Sequence, residues 1–131
     1  MRHALALAAL LALSAAPPAL GGDAVPVEPG TLLGRLAWGD QSLLVLDVRT
    51  PEEYAAGHVP GARNIPHTQI AERLAELGDA RDRDVVVYCR SGSRSAIALA
   101  TLREAGFTRL LHLEGDWLRW SAEERPVIRG P

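Results

Sequence analysis

Short apolar runs of strand length alternate along the chain with stretches in which apolar residues recur at helical spacing. The runs at 43–46, 85–88 and 110–113 are continuously apolar apart from His112, which is typical of parallel strands that are buried on both faces. Helical patterns lie between these runs. The alternation predicts an α/β fold in which helices cover both sides of a parallel sheet.

Several of the predicted helices carry recognisable end signals. Helices are predicted over 31–38 and 93–105, and each is followed by a glycine that suits a helix end. A short helix is predicted to begin after Thr50. Thr50 and Glu53 have the spacing of a capping box, and Pro51 occupies the first helical position.

Two further helices are predicted from weaker patterns. Ile70, Leu74 and Leu77 recur at helical spacing, and Gly78 follows them as a stop signal. Asp116 comes shortly after the last apolar run and is predicted to cap a final helix.

The first 21 residues have the layout of a secretory signal peptide. Arg2 provides the positive start, residues 4–13 are apolar, and small residues at 19–21 suit a cleavage site. The apolar stretch is too short to span a bilayer. We therefore expect a periplasmic or otherwise exported protein, with no stable membrane association after cleavage.

The rest of the chain has the length of one domain. Residues 22–30 are predicted to be a linker that enters the domain near 25–27, and residues 31–128 are predicted to form the domain itself. The formal net charge of −2 gives no reason to expect a nucleic-acid partner. The four histidines are scattered, and no residue set suggests a metal, nucleotide or flavin. No cofactor is predicted.

Cys89 is the single cysteine, and it lies between the predicted strand over 85–88 and the predicted helix over 93–105. A thiol at such a corner faces the positive end of the helix, and the loop can turn backbone N–H groups inward as an anion nest. Both effects favour a thiolate, which is the nucleophilic form of cysteine. The alternative, a small buried hydrophobe, is disfavoured because polar residues and a glycine follow directly.

Three stretches of the chain resemble the signature motifs of the rhodanese domain. Residues 46–66 (LDVRTPEEYAAGHVPGARNIP) resemble its first signature, 87–95 its active-site loop, and 113–120 its last strand and helix. The resemblance covers 25–128. It implies a three-layer α/β/α fold with a five-stranded parallel sheet, and transfer of a sulfane sulfur through a cysteine persulfide.

The resemblance also implies roles for individual residues. Cys89 is the predicted catalytic nucleophile. Asp47 and Arg49 are predicted to brace the loop by hydrogen bonds and charge pairing, and Arg49 is also considered for substrate contact. His58 is expected to be structural. The predicted substrate-binding residues are those of the loop: Arg90, Ser91, Gly92, Ser93, Arg94 and Ser95.

Two of these loop residues are candidate anion binders, because a guanidinium fits an oxyanion with two parallel hydrogen bonds. For Arg90 the alternative of a solvent-facing rim residue stays open. Arg94 lies where the helix begins and is expected mainly to shape the loop.

The predicted reaction takes sulfur from a small sulfur-containing anion such as thiosulfate and passes it to a thiol or a cyanide-like acceptor. Two alternatives remain open. One is a non-catalytic persulfide carrier or partner-binding module. The other is a phosphatase or arsenate reductase on the same scaffold, although the loop from Cys89 to Arg94 has the shorter length that the sulfurtransferases show.

Asp116 departs from the family pattern, which commonly has a second glycine at this position. As a helix cap it would leave the site unchanged. If its carboxylate faced the pocket, it would repel thiosulfate and favour a neutral or cationic sulfur partner. Trp38, Trp117 and Trp120 are predicted core residues, and His112 carries no functional signal.

Overall fold

A sheet of five parallel strands organises the computed structural model, which describes residues 24–131. The strands are β1 (Val25–Val27), β2 (Leu43–Asp47), β3 (Arg63–Asn64), β4 (Asp84–Tyr88) and β5 (Leu110–Leu113). They lie side by side in the order β1-β5-β4-β2-β3, and every adjacent pair is parallel. The predicted parallel sheet is confirmed.

Four α-helices connect or follow the strands, namely α1 (Pro29–Ala37), α2 (Pro51–Ala56), α3 (Ser93–Glu104) and α4 (Asp116–Ala122). The predicted capping box is present at the start of α2. The Thr50 hydroxyl accepts from the Glu53 N–H, and the Glu53 carboxylate accepts from the Thr50 N–H. Within 24–131, no helix is long and apolar enough to cross a membrane.

The side chains of β4 divide the core into two layers, because successive residues of a strand point to opposite faces. Val85 and Val87 pack in the same cluster as Leu102 of α3. Val86 packs in a second cluster with Trp120 of α4. Both faces of the sheet are therefore covered, which confirms the three-layer α/β/α arrangement.

The connection between β3 and β4 differs from the helix predicted from Ile70, Leu74 and Leu77. It forms three short 3₁₀ helices, at His67–Gln69, Leu74–Leu77 and Ala80–Asp82. Ile70 and Leu77 are both buried in the same layer as α3. Apolar residues three or four positions apart suit successive tight turns as well as one continuous helix, so the spacing alone did not distinguish them.

Residues 24–30 of the predicted linker contain a strand and the start of a helix. Val25–Val27 pairs with β5 as the edge strand, and α1 begins at Pro29. The predicted signal peptide, residues 1–21, lies outside the described residues.

The tryptophans occupy three different environments. Trp120 is fully buried, and its indole N–H donates to the Pro126 carbonyl at 2.9 Å. Trp117 is partly buried beside the same layer. Trp38 is 91% exposed, so its prediction as a core residue is wrong. Trp38 is the C-cap of α1 and lies past the turn that buries Leu32.

Replacing Trp120 by alanine is expected to lower the free energy of unfolding by roughly 3–5 kcal/mol, because a large aromatic side chain leaves a cavity that the core fills only in part. Trp38→Ala removes the same type of side chain at a solvent-exposed position, so it is expected to change the free energy of unfolding by no more than about 0.5 kcal/mol. Urea denaturation of both variants measures the difference. Equal losses would contradict the assignment of the two environments.

Candidate active site

The carboxyl ends of neighbouring strands bring chemistry-bearing residues to one edge of the sheet. Asp47 ends β2, Cys89 follows β4, and Glu114 follows β5. Ligands of parallel sheets bind outside this edge because the strand ends and their loops meet there. The segments around Asp47, Cys89 and Gly115 therefore meet at this edge.

The loop from Cys89 to Arg94 folds around the thiol. Gly92 has a φ of 117°, a left-handed backbone that glycine adopts without strain, and its N–H donates to Cys89 Sγ at 3.0 Å. The Gly92 carbonyl then accepts from the Ala96 N–H as α3 begins. Cys89 is only 1% exposed. Within residues 24–131, one loop amide, that of Gly92, donates to the sheltered sulfur, whereas the sequence analysis expected several N–H groups to turn inward as an anion nest.

Helix α4 docks on this loop through backbone hydrogen bonds. The Trp117 N–H donates to the Cys89 carbonyl at 3.0 Å, and the Leu118 N–H donates to the Arg90 carbonyl at 3.2 Å. The first N–H groups of a helix have no partner within the helix. Two carbonyls of the loop satisfy them here, so the loop and α4 hold each other in place.

Asp116 does not cap α4, and that prediction is wrong. The N-cap is Gly115, and no side chain closes it. The Asp116 carboxylate is buried under the loop, where Oδ1 accepts from the Cys89 N–H at 3.0 Å and from the Ser95 hydroxyl at 2.8 Å. Both of its oxygens lie 3.0 Å from His112 Nε2. These partners are stronger than a single cap hydrogen bond, and they turn the side chain away from the start of the helix.

The contacts of Asp116 also fix its charge. Burial raises the pKa of Asp116, but the hydrogen bonds from His112, the Cys89 amide and Ser95 outweigh burial and hold the pKa below its ordinary value. The carboxylate is therefore ionised at neutral pH. The sequence analysis assigned no functional signal to His112 and weighed Asp116 as a helix cap or a pocket-facing carboxylate, whereas the structure brings the two side chains together beneath the loop.

Asp47 and Arg49 form a buried ion pair with an N–O distance of 2.6 Å. Asp47 also accepts from the Tyr88 hydroxyl at 2.7 Å, and Arg49 also donates to the Gly57 carbonyl at 2.7 Å. The Arg49 guanidinium lies 4.6 Å from the centre of the Trp117 ring. A buried pair is tolerated only when its remaining donors and acceptors are satisfied. The pair joins β2 and β4 to the end of α2.

His58 is held by structural contacts. Its ring stacks on Tyr54 with 3.6 Å between centroids, and Nδ1 lies 2.7 Å from the Tyr54 carbonyl. Its backbone pairs with Ile128 in both directions. His58 therefore ties the turn after α2 to the C-terminal segment.

The pocket beside the loop has a volume of about 240 Å³. Its lining comprises Arg49, Glu53, Ala56, Gly57, Arg90 and Trp117. A larger cavity of about 470 Å³ lies at the opposite end of the sheet, next to Val25 and Asp84. The smaller pocket is the candidate active-site pocket, because it is lined by Arg90, the residue that follows the single cysteine, Cys89. Among residues 24–131, no group of three or more His, Cys, Asp or Glu side chains is placed to hold a metal ion.

The sequence profile of the rhodanese-like domain matches residues 28–123. The chain belongs to the rhodanese-like domain family. A protein from Allochromatium vinosum named a sulfurtransferase is 39% identical over 78% of this chain and 92% of its own length. An HTH-type transcriptional regulator from Mycobacterium tuberculosis is 40% identical over 88% of this chain, which spans 50% of that relative.

Solved structures agree with this placement. The crystal structure of the Alr3790 protein from Anabaena has a TM-score of 0.72 and is 30% identical, with 79% of this chain and 81% of that chain covered. The family match and the relative named a sulfurtransferase support an enzyme of the sulfurtransferase class. One relative is a transcriptional regulator, so rhodanese-like domains also occur within longer proteins.

The arginines and serines of this rhodanese-like loop differ in their hydrogen-bond partners and in their exposure to solvent. Arg94 is engaged by Glu53 through two hydrogen bonds, at 2.6 and 3.0 Å, whereas Arg90 is exposed and lines the pocket. Ser95 is buried against Asp116. The exposed loop serines are Ser91 and Ser93. Substrate contact by any of these residues stays a prediction.

The Glu53–Arg94 pair is expected to make the stability of this rhodanese-like domain depend on pH. The hydrogen bond from Arg94 lowers the pKa of Glu53 from 4.5 to about 2. Because the folded-state pKa is depressed, the contribution is present above about pH 4.5 and is lost as the pH falls toward 2. Urea denaturation between pH 6 and 3 should therefore show a smaller acid loss for Glu53→Gln than for the wild type. The exposed neighbour Glu52→Gln is the control, and a wild-type slope in Glu53→Gln would contradict the prediction.

Proposed function

We propose that this domain is a sulfurtransferase in which Cys89 accepts a sulfane sulfur from thiosulfate or a similar small anion. The persulfide then passes the sulfur to a thiol or a cyanide-like acceptor. The observation that carries the proposal is the 3.0 Å hydrogen bond from the Gly92 N–H to Cys89 Sγ. A backbone donor aimed at sulfur stabilises negative charge there without any reorganisation during the reaction.

In the first step, the Cys89 thiolate attacks the outer sulfur of thiosulfate. A bond forms between Sγ and that sulfur, the sulfur–sulfur bond of thiosulfate breaks, and its electron pair leaves with sulfite. One thiolate and one thiosulfate dianion give one persulfide anion and one sulfite dianion, so the step needs no proton and no outside electron. In the second step, the acceptor attacks the outer sulfur, and the electron pair returns to Sγ.

The charge distribution at the pocket supports an anionic donor. Arg94 and Arg49 are neutralised by Glu53 and Asp47. The exposed guanidinium of Arg90 is a further positive charge at the pocket lining. It raises the local potential and offers two parallel N–H donors to an oxyanion. Asp116 is not among the pocket-lining residues.

Replacement of Cys89 by serine or alanine is expected to abolish turnover of thiosulfate and cyanide, since neither side chain forms a persulfide. Intact-protein mass spectrometry of the thiosulfate-treated wild type should show the gain of one sulfur atom, and both variants should lack it. Circular dichroism checks that the variants remain folded. Turnover that survives in Cys89→Ala would contradict the proposal.

The same experiment separates the alternative functions. A mass gain without transfer to any acceptor would identify a persulfide carrier. Hydrolysis of an aryl phosphate by the wild type, lost in Cys89→Ser, would instead identify a phosphatase. Export of the domain remains a proposal that rests on residues 1–21.

Arg90→Gln is expected to raise KM for thiosulfate by about tenfold with a smaller change in kcat, because a charge-assisted hydrogen bond to an anion is worth roughly 1.5 kcal/mol. Arg109→Gln removes an exposed arginine beside the other end of β5 and serves as the control. Steady-state kinetics at several salt concentrations measure the effect. An unchanged KM in Arg90→Gln would leave Arg90 as a rim residue.

A further inference from the structure

The larger cavity, of about 470 Å³, lies at the edge of the sheet where the strands begin. Val25, Asp84 and Leu110 line it, and they are the first residues of β1, β4 and β5. Cys89 follows the other end of β4, so the length of that strand separates the cavity from the thiol. Among residues 24–131, its lining shares no residue with the pocket beside Cys89. Its volume is typical of small-molecule sites.

Apolar side chains form much of the wall of this cavity. Phe107, Leu110 and Leu111 line it together with Val25, which is 60% exposed. The wall is held by backbone hydrogen bonds, because β5 pairs with both β1 and β4 and the Phe107 N–H donates to the Leu102 carbonyl at 3.1 Å. A hydrocarbon group placed on this preformed wall would be removed from water, which favours its binding.

One guanidinium of the lining has an unused hydrogen-bond donor. Arg103 lies in the last turn of α3, and its Nη1 atom is buried with no hydrogen-bond partner among residues 24–131. A buried charged donor without an acceptor is destabilising, and folded proteins contain few of them. An acceptor that enters the cavity would remove this cost, so the unpaired donor favours a ligand with an oxygen atom at that point.

The charges of the lining favour an anionic ligand. Asp84 is its acidic residue, and the carboxylate accepts from Arg109 Nε at 2.8 Å and also pairs with Arg35 at 3.0 Å. The lining holds one carboxylate and two guanidinium groups, those of Arg103 and Arg109, so its net charge is positive. A singly charged carboxylate fits better than a divalent oxyanion, because a higher charge costs more to remove from water.

We propose that this cavity is a second binding site, which takes a small amphipathic carboxylate. The carboxylate accepts from Arg103 Nη1, and the hydrocarbon or aryl body of the ligand packs against Phe107, Leu110 and Leu111. The site is separate from the thiol, so this inference does not depend on the proposed sulfur transfer.

The probes for the test are 4-phenylbutyrate, its uncharged amide and acetate. Each is titrated into the ¹⁵N-labelled full-length protein, and the backbone amide shifts locate and quantify binding. We expect 4-phenylbutyrate to shift the amides of residues 107–111 saturably while the Gly92 amide stays in place. The amide lacks the charge and acetate lacks the apolar body, so each should bind at least about tenfold more weakly.

Arg103→Met tests the role of the guanidinium, because methionine retains an apolar stem without a charge or a donor. The variant should bind 4-phenylbutyrate about tenfold more weakly than the wild type does, and it should no longer distinguish the acid from the amide. Arg103→Lys should restore part of this preference. Arg63→Met is the matched control, because Arg63 is exposed on β3, the edge strand opposite β1. A merely structural role of Arg103 would weaken the acid and the amide equally.

A carboxylate of the chain itself is the competing occupant. Asp23 lies two residues before Val25 in the sequence. The variant Asp23→Asn should bind 4-phenylbutyrate with the affinity of the wild type. Tighter binding in this variant would identify the Asp23 carboxylate as a competitor and would overturn the proposal of an external ligand.

The remaining outcomes are equally decisive. Equal wild-type affinities for the acid and the amide, or for acetate and 4-phenylbutyrate, would overturn the proposal, as would shifts that do not saturate or that are confined to Gly92. If Arg103→Met does not fold, the comparison of acid and amide in Arg103→Lys and the wild type decides. Turnover of thiosulfate is not part of the test, so a failure here leaves the proposed function standing.

Discussion

The position of the sulfur depends on hydrogen bonds to the backbone of Cys89 itself. The Cys89 N–H donates to the Asp116 carboxylate, and the Cys89 carbonyl accepts from the Trp117 N–H. Both partners belong to the segment that follows β5. The loop is therefore not held by its own turn alone, and the amide that the Gly92 backbone presents to Sγ is aimed by the last strand and helix of the domain. Preorganisation of this kind is what lets fixed dipoles stabilise a reacting anion.

The same loop is surrounded by charges that would be costly to bury singly. The pair of Asp47 and Arg49 is almost completely buried, and its spare donors and acceptors are satisfied by Tyr88 and Gly57. Removing one member would leave an uncompensated buried charge, which is the expensive case. The satisfied network therefore fixes the far wall of the pocket, while the charge at its exposed rim comes from Arg90.

Local rules explain which predictions were confirmed. The capping box at Thr50 and Glu53 depends on two residues in one turn, and it formed as predicted. The segment around Ile70 did not form its predicted helix, since successive 3₁₀ turns bury the same apolar residues. Trp38 was predicted to be a core residue, but its place at the end of α1 leaves it in solvent. Residue type alone does not decide burial.

The sequence by itself determined the alternation of strands and helices, the parallel sheet, and the place of Cys89 at the corner between a strand and a helix, because periodicity and turn chemistry are local properties of the chain. The tertiary structure decided which polar side chains meet. Glu53 reaches Arg94 across 41 positions, and Asp116 reaches the Cys89 amide across 27. Such contacts depend on which strands lie next to each other in the sheet. A hydrogen bond between distant residues produces no periodic pattern in the sequence of either segment.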